Sequence, residues 1–253
     1  MKGRNLVFAG LFAFLIPGCG GSGGGDAVTV AQAIVDANGG GIWVGQTTDD
    51  SQPGVTQDFV GVTTDSGEFR FLSLDTFGQF TGTFTVSGNA ASGTGLGWAP
   101  IGFTWTDGSV LTSVSIAATV TERQQFNGSW STGSNESGTF TFAYSDIHQR
   151  TSSFAKLSAN WFYTSGPYSN TISIDQNGDV SGSDTNGCIY VGDASIPDAS
   201  VNTYVFDLTV MGCGLLNGMY AGLAVLDDET VQDDTLILSI DSGQVAIVLV
   251  MAR

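Results

Sequence analysis

Few residues of this chain could carry catalytic chemistry, and most of them are carboxylates. The sequence has 24 acidic residues but one histidine, His148. A single imidazole cannot form a metal site that is built on several histidines. His148 is also the one candidate imidazole base for a nucleophilic site. It falls in a segment that we predict to link two domains, so we expect a solvated side chain and not a catalytic base.

The acidic side chains include three clusters, Asp49-Asp50, Asp227-Asp228-Glu229 and Asp233-Asp234. A glycosidase needs two carboxyl groups held about 5 to 10 Å apart. Neighbouring acids in loops are usually solvated instead, because burying an unpaired carboxylate is costly. We therefore assign no catalytic residue and expect a protein that is not an enzyme. A carboxylate-based enzyme acting on glycans is the alternative.

Oxygen-bearing side chains at alternate positions, Asp175, Asn177 and Asp179, are typical of the start of a calcium-binding loop. Glycine follows at the fourth place of this segment and not at the sixth, and no Glu occupies the twelfth. A hairpin turn between Ile174 and Val180 explains the same residues. We predict no metal and no cofactor, and keep the three residues as the candidate ligands.

Trp98 and Trp105 flank Pro100 in a segment that we interpret as an insertion. Aromatic side chains in a loop can stack on sugar rings or on apolar ligands, while polar neighbours set the ligand's orientation. These two tryptophans are therefore the candidate ligand-binding residues. The alternative is that both pack in a hydrophobic core.

The N-terminus has the pattern of an export signal. Lys2 and Arg4 precede an apolar run of eleven residues, Leu6–Ile16. A membrane-spanning helix needs about 20 apolar residues, so this run predicts a signal peptide. Glycine and serine fill positions 20–25, which is a composition typical of a flexible tether.

The run ends in Ile16-Pro17-Gly18-Cys19, which resembles the lipobox of bacterial lipoproteins. The resemblance implies cleavage after Gly18 and acylation of Cys19, which would anchor the protein to a membrane. Gly20 stands where an Asp would retain a lipoprotein in the inner membrane, so the resemblance implies the outer membrane. It does not say whether the protein lies in the periplasmic or the surface-facing leaflet. The alternative is an ordinary secretory signal and an incidental cysteine.

The two remaining cysteines, Cys188 and Cys213, are predicted to form a disulfide, because export places them in an oxidising compartment. In the chain-entropy model, closing a loop of this length stabilises the folded state by roughly 3 kcal/mol. A metal site at this pair would need further Cys or His ligands nearby, and the sequence offers none.

Composition and periodicity predict an all-β protein. Charged residues make up 12% of the chain, about half the usual share, and 36 residues are glycine. Apolar and polar residues alternate in many short segments that are separated by turn dipeptides such as Asn127-Gly128, Asn177-Gly178 and Asn217-Gly218. About eight strands precede residue 146 and about eight follow residue 156, which favours antiparallel meander barrels. The formal charge of −17 excludes nucleic acid as a partner.

The predicted organisation is a signal peptide (1–18), a lipidated Cys19 with a tether and short helix (19–37), and two β domains (38–146 and 156–253). Matches at offsets of 90 and 100 residues, such as Trp130 with Tyr220, indicate an internal repeat. Two related barrels are the preferred interpretation. The alternative is a single barrel formed by two half-repeats.

The segment Gly41-Ile42-Trp43-Val44-Gly45, with many antiparallel strands after it, resembles the barrels of lipocalins and surface lipoproteins. The second domain, with its paired cysteines and Asn217-Gly218-Met219-Tyr220, is similar to proteobacterial lipoproteins of uncharacterised activity. Neither resemblance implies a particular reaction.

Together these observations predict an outer-membrane-anchored lipoprotein that acts as a non-catalytic binding or envelope-structural module. Its partner would be a protein, a glycan or a small molecule. One alternative is a carrier that holds a small apolar ligand in a β-barrel. The other is the carboxylate-based enzyme, acting on envelope glycans.

Overall fold

The computed structural model describes residues 35–73, 76–100 and 102–253. The signal peptide, Cys19, the tether and residues 26–34 of the predicted short helix lie outside the described residues. Residues 35–40 form no regular element. Among the described residues, none of the helices has the length and hydrophobicity that crossing a bilayer requires.

The first barrel is a closed meander of eight antiparallel strands. Each strand pairs with the next along the chain, and β1 also pairs with β8 to close the barrel. The strands are β1 (Gly41–Thr48), β2 (Thr56–Thr63), β3 (Glu68–Ser73), β4 (Gln79–Ser87), β5 (Ala90–Trp98), β6 (Leu111–Thr121), β7 (Gln125–Thr132) and β8 (Ser137–Tyr144).

The second barrel repeats this topology, and β16 returns to pair with β9. Its strands are β9 (Ala159–Ser165), β10 (Tyr168–Ile174), β11 (Asp179–Asp184), β12 (Ile189–Ser195), β13 (Tyr204–Met211), β14 (Gly218–Asp227), β15 (Thr235–Asp241) and β16 (Ala246–Ala252). The predicted fold of two all-β meander barrels is confirmed. The alternative of a single barrel is wrong, because each set of eight strands closes on itself.

The interior of the first barrel is filled mainly by aromatic rings. Trp43, Phe69, Phe126 and Phe142 are almost completely buried there, on four different strands. Neighbouring rings meet edge-to-face or tilted, as in the 5.5 Å contact between Trp43 and Phe126. Such pairs contribute about 0.5 to 1.5 kcal/mol each beyond the area they bury.

The second barrel has a mixed core of aliphatic and aromatic side chains, including Trp161, Ile172, Tyr204 and Leu236. One end of it is covered by the short helix α1 (Phe154–Leu157), whose Leu157 is fully buried. The matching end of the first barrel is covered by residues 35–40, where the amide of Ala37 donates to the carbonyl of Gly88.

Residues 145–158, between β8 and β9, are called here the bridge. Arg150 and Lys156 of the bridge both contact the acidic loop between β14 and β15. Arg150 forms a bidentate ion pair with Asp228, with both N–O distances at 2.6 Å, and also contacts Asp233 at 3.2 Å. Lys156 lies 3.9 Å from Asp233. These pairs fasten the bridge to the second barrel.

The two barrels pack side by side through an apolar layer of outward-facing strand residues. Ile42, Val60 and Leu72 of the first barrel share one buried cluster with Leu223 and Ile237 of the second. Polar contacts continue this interface, since Gln79 Oε1 accepts a hydrogen bond from Ser239 Oγ at 2.8 Å. The barrels are therefore joined by a packed interface as well as by the bridge.

The residue matches that indicated the repeat do not relate equivalent strands. At the offset of 90, Trp130 in β7, the seventh strand of its barrel, is matched with Tyr220 in β14, the sixth strand of the other. The two barrels are alike in strand number and topology, but the matched residues are displaced by one strand. Similar inward-facing patterns recur on every strand of such a barrel, so a local match does not fix the register of the repeat.

Candidate functional site

Both barrels carry a cavity at the same end, where each odd-numbered strand turns into the next even-numbered one. In the first barrel, the connections after β1, β3, β5 and β7 surround a cavity of about 230 Å³. The opposite end is covered by residues 35–40, so this end is the open mouth. Cavities at barrel mouths are common ligand sites.

Trp98 and Trp105, the two candidate ligand-binding residues, line the same cavity. Trp98 is the last residue of β5 and is buried, and its Nε1 donates to the carbonyl of Gln244 in the second barrel at 3.4 Å. Trp105 is half-buried in the loop after β5, and its Nε1 donates to Gly97 O at 3.2 Å. Trp98 thus belongs to a strand and not to the insertion in which it was predicted.

Sequence reasoning missed the aromatic floor of this cavity. The ring of Phe80 lies 6.0 Å from that of Trp105 and 5.6 Å from that of Trp130. Phe59 stacks on Phe80 at 6.1 Å. Trp130 is buried, and its Nε1 has no hydrogen-bond partner among the described residues. Periodicity marks these residues as inward-facing, but it does not distinguish a cavity wall from a packed core.

The rim of the cavity is polar and carries no positive charge among its described residues. Asp49 and Glu136 are its two acidic residues. Each carboxylate stabilises a loop: Asp49 accepts hydrogen bonds from N and Oγ of Ser51, and Glu136 accepts hydrogen bonds from N and Oγ1 of Thr106. A negatively charged ligand would find no counter-charge here.

A second cavity, of about 630 Å³, lies at the corresponding end of the second barrel and reaches the first barrel. Tyr163, Tyr168, Asp184 and Tyr190 line it from the second barrel. The residues that line both cavities are Gln79, Trp98 and Ala99. The two cavities therefore share one wall.

The predicted disulfide between Cys188 and Cys213 is confirmed, with its Cα atoms 4.8 Å apart. It joins Cys188, which immediately precedes β12, to the connection after β13, at the same end as the second cavity. The carboxylate of Asp184 lies close to both sulfur atoms. Because the two sulfurs are bonded to each other, they are not available as metal ligands.

Of the candidate metal ligands, Asp175 and Asn177 lie in the hairpin turn between β10 and β11, and Asp179 is the first residue of β11. Asp175 Oδ1 accepts hydrogen bonds from the backbone amides of Asn177 at 2.7 Å and Asp179 at 3.0 Å. These bonds lower the pKa of Asp175. Gly178 supplies the positive φ of the turn. The side chain proposed as the first ligand is used to fold the turn.

The expectation of a solvated His148 is wrong. Its side chain is 6% exposed, and its Nδ1 lies 2.9 Å from the hydroxyl of Tyr144. Burial lowers the pKa of His148. The bridge folds back onto the ends of the strands and does not run through solvent, so its histidine is enclosed.

The clustered carboxylates hold loops together. Asp234 accepts hydrogen bonds from the amides of Glu229, Thr230 and Val231, and these bonds strongly lower its pKa. Asp228 is paired with Arg150. Asp50 accepts a hydrogen bond from the hydroxyl of Ser137. Each of the three clusters thus contains a carboxylate with a structural partner.

No protein-family model matches the sequence, and no curated protein sequence matches it. Among solved structures, Aeromonas veronii immune modulator A aligns with 87% of this chain and 97% of its own. The sequence identity is 10% and the TM-score is 0.39. A likeness at that level carries no argument about function.

Proposed function

We propose that this protein is a non-catalytic binding lipoprotein, anchored to the outer membrane through Cys19, and that the cavity of the first barrel is its ligand site. The observation that carries the ligand site is that Trp98, Trp105 and Trp130 surround one cavity of about 230 Å³ at the open mouth of a closed barrel. Eight-stranded barrels are wide enough to hold one small ligand. The anchor rests on the resemblance of residues 16–19 to a lipobox.

The walls of the cavity favour a small, uncharged ligand that has a flat apolar face. The rings of Phe80 and Trp105 offer surfaces on which a sugar ring or an aromatic ring can stack. The rim holds Asp49 and Glu136 and no described cation, which disfavours anions such as fatty acids. The unpaired Nε1 of Trp130 favours a ligand with a hydrogen-bond acceptor, because a buried donor without a partner is costly.

The test is a titration of the mature protein with methyl glucoside and benzyl alcohol as neutral ring probes and benzoate as the anionic probe. Binding is followed by calorimetry and by tryptophan fluorescence. We expect at least one neutral probe to bind and benzoate to bind more weakly. Trp105→Ala should weaken binding by about tenfold, since losing one stacking ring of about 1.4 kcal/mol has that effect.

Phe162→Ala is the matched control, because Phe162 is an aromatic residue on the outer surface of the second barrel, 50% exposed. This variant should bind the neutral probes like the wild type. Failure of both neutral probes to bind, or equal affinity in Trp105→Ala, would overturn the assignment of the cavity.

The face of the membrane on which the protein is displayed is tested by protease treatment of intact and permeabilised cells. A periplasmic control protein must survive in the intact sample. Digestion on intact cells would mean that the mouth of the barrel meets external ligands. Protection until permeabilisation would mean that its ligand is periplasmic.

A further inference from the structure

The closing seam of the second barrel, between β9 and β16, is hydrogen-bonded at one end and unpaired at the other. β9 and β16 are paired through Phe162 and Ala252 alone, whereas β1 and β8 pair over five positions in the first barrel. The same register, continued, would pair Thr164 with Val250 and Ser165 with Leu249, and these pairs do not form. The two strands separate toward the end that carries the second cavity.

This gap borders the cavity of about 630 Å³, called here the seam cleft. Tyr163 and Ser165 of β9 form one lip, and residues 246–249 of β16 form the other. Phe77 and Trp98 of the first barrel face the lips and complete the wall. The seam cleft is therefore formed jointly by both barrels and is mostly apolar.

A charged, hydrogen-bonded group lies at the polar end of the seam cleft. Asp184 Oδ2 accepts hydrogen bonds from the hydroxyls of Tyr168 and Tyr190, both at 3.0 Å. Although burial opposes the charge, hydrogen bonds from Cys188, Tyr190 and Tyr168 hold the pKa of Asp184 below its ordinary value. Both tyrosine hydroxyls donate their hydrogens to the carboxylate, so they can only accept a hydrogen bond from a ligand.

A further polar group beside the seam cleft lacks a partner. Asn170 is 1% exposed, and its Oδ1 has no hydrogen-bond partner among the described residues. Asn170 is paired across the sheet with Tyr163 on one side and Asp184 on the other, and both of these residues line the seam cleft. A buried amide oxygen without a donor is costly, although Asn170 itself is not one of the residues that line the seam cleft.

We propose that the seam cleft is a second binding site, which takes an organic cation with an apolar body, such as an alkylammonium. Its described lining contains the Asp184 carboxylate and no Lys or Arg. The rings of Tyr168, Tyr190 and Trp98 supply faces that attract a cation. The aliphatic lip of β16 would cover the alkyl chain. This site is separate from the cavity of the proposed function and goes beyond it.

Three probes of equal length test the proposal on the full mature chain: octylammonium, octanol and octanoate, titrated by calorimetry. We expect octylammonium to bind most tightly, octanol less tightly and octanoate least. Octanoate binding as tightly as octylammonium would overturn the proposal, because a site without a counter-charge for anions cannot favour the carboxylate.

Variants separate the seam cleft from the first cavity. Ser165→Trp fills the lip and should abolish octylammonium binding, while Trp105→Ala, in the first cavity, should leave it unchanged. Asp184→Asn should lower the affinity for octylammonium by about tenfold and leave that for octanol unchanged, since only the cation loses an attraction. Unchanged octylammonium affinity in Ser165→Trp would contradict the site.

Asp184 also accepts backbone hydrogen bonds in its loop, so Asp184→Asn is checked by thermal unfolding. Tyr168→Phe provides an independent variant that keeps the ring and removes the hydroxyl acceptor. It should weaken octylammonium binding more than octanol binding. Equal effects on the two probes would count against a cation at this end of the seam cleft.

Discussion

Arg70 and Asp241, which are 171 residues apart in the sequence, form an ion pair across the interface between the barrels, with Nη1 and Oδ2 at 2.6 Å. Arg70 is 8% exposed and Asp241 is 15% exposed. Glu68 also contacts the guanidinium, at 3.2 Å. Asp241 also accepts a hydrogen bond from the amide of Gly243, in the turn before β16. The pair thus ties β3 of the first barrel to the turn that leads into the closing strand of the second.

Arg70→Met should destabilise the protein by about 3 kcal/mol, because the mostly buried carboxylate of Asp241 loses its charged partner and keeps only hydrogen bonds from neutral groups. The free energy of unfolding, measured by denaturant titration, should fall accordingly. Arg123→Met, at an exposed position, is the matched control and should change little. A loss of stability no larger than that of the control would show that water replaces the partner.

The double variant Arg70→Met with Asp241→Asn should recover much of this loss. It removes both charges and keeps an oxygen that can accept the amide of Gly243. A double variant as unstable as Arg70→Met alone would mean that the ion pair itself, and not the unpaired carboxylate, sets the cost. The comparison is a double-mutant cycle, completed by the Asp241→Asn single variant.

The disulfide should contribute about 3 kcal/mol to stability, since it closes a loop of 25 residues. The double variant Cys188→Ser with Cys213→Ser should lose this amount when unfolded by denaturant under oxidising conditions. Wild-type protein with its disulfide chemically reduced is the matched control and should behave like the variant. Equal stability of variant and oxidised wild type would show that the link only joins segments already held by the barrel.

The strands are predictable because alternation is a local property: it predicts about eight strands in each half of the chain, and each barrel has eight. The turns were less predictable, as Asn127-Gly128 shows. This pair lies within β7 and does not form a hairpin turn. A Cβ atom on Gly128 would lie 2.3 Å from the carbonyl oxygen of Ala117, so the glycine is needed for close approach of the neighbouring strand.

The first cavity was partly predictable and the seam cleft was not. Trp98 and Trp105 stood out because they lie near each other around Pro100. Tyr163, Asp184 and Tyr190 come from three strands, and they meet only when the barrel closes with its particular register. Sequence periodicity indicates which face of a strand is buried, but not which side chains of distant strands share an end of the barrel.

Lipidation of Cys19 stays a prediction, since the residue lies outside the described part of the chain. Cys19→Ala should abolish incorporation of labelled palmitate and release the protein from the membrane fraction. The folded barrels should be unaffected, because residues 35–253 do not include the anchor. The Cys188→Ser with Cys213→Ser variant is the control and should still be labelled. Labelling that survives Cys19→Ala would exclude this anchor.

The buried histidine makes stability depend on pH in a narrow range. Burial, together with Arg123, lowers the pKa of His148, while Asp65 and Asp198 act in the opposite direction. The neutral imidazole, bonded to Tyr144, is therefore the form that the folded state favours. In the unfolded chain the pKa returns to about 6.5, so below that pH the unfolded state binds a proton that the folded state resists.

The free energy of unfolding should therefore be fully retained above pH 6.5 and should decrease as the pH falls toward 5. Its slope cannot exceed about 1.4 kcal/mol per pH unit, the value for uptake of one proton. His148 is the one histidine of the chain. The carboxylates with shifted pKa values all have lowered ones, so they titrate below this range; they are Asp107, Asp175, Asp184, Asp198, Asp228 and Asp234. His148→Gln should flatten the profile between pH 7 and 5, whatever its effect on stability at neutral pH. Tyr144→Phe, which keeps the imidazole, is the control and should retain the slope of the unfolding free energy against pH. An equally steep profile in His148→Gln would assign this pH dependence to another group.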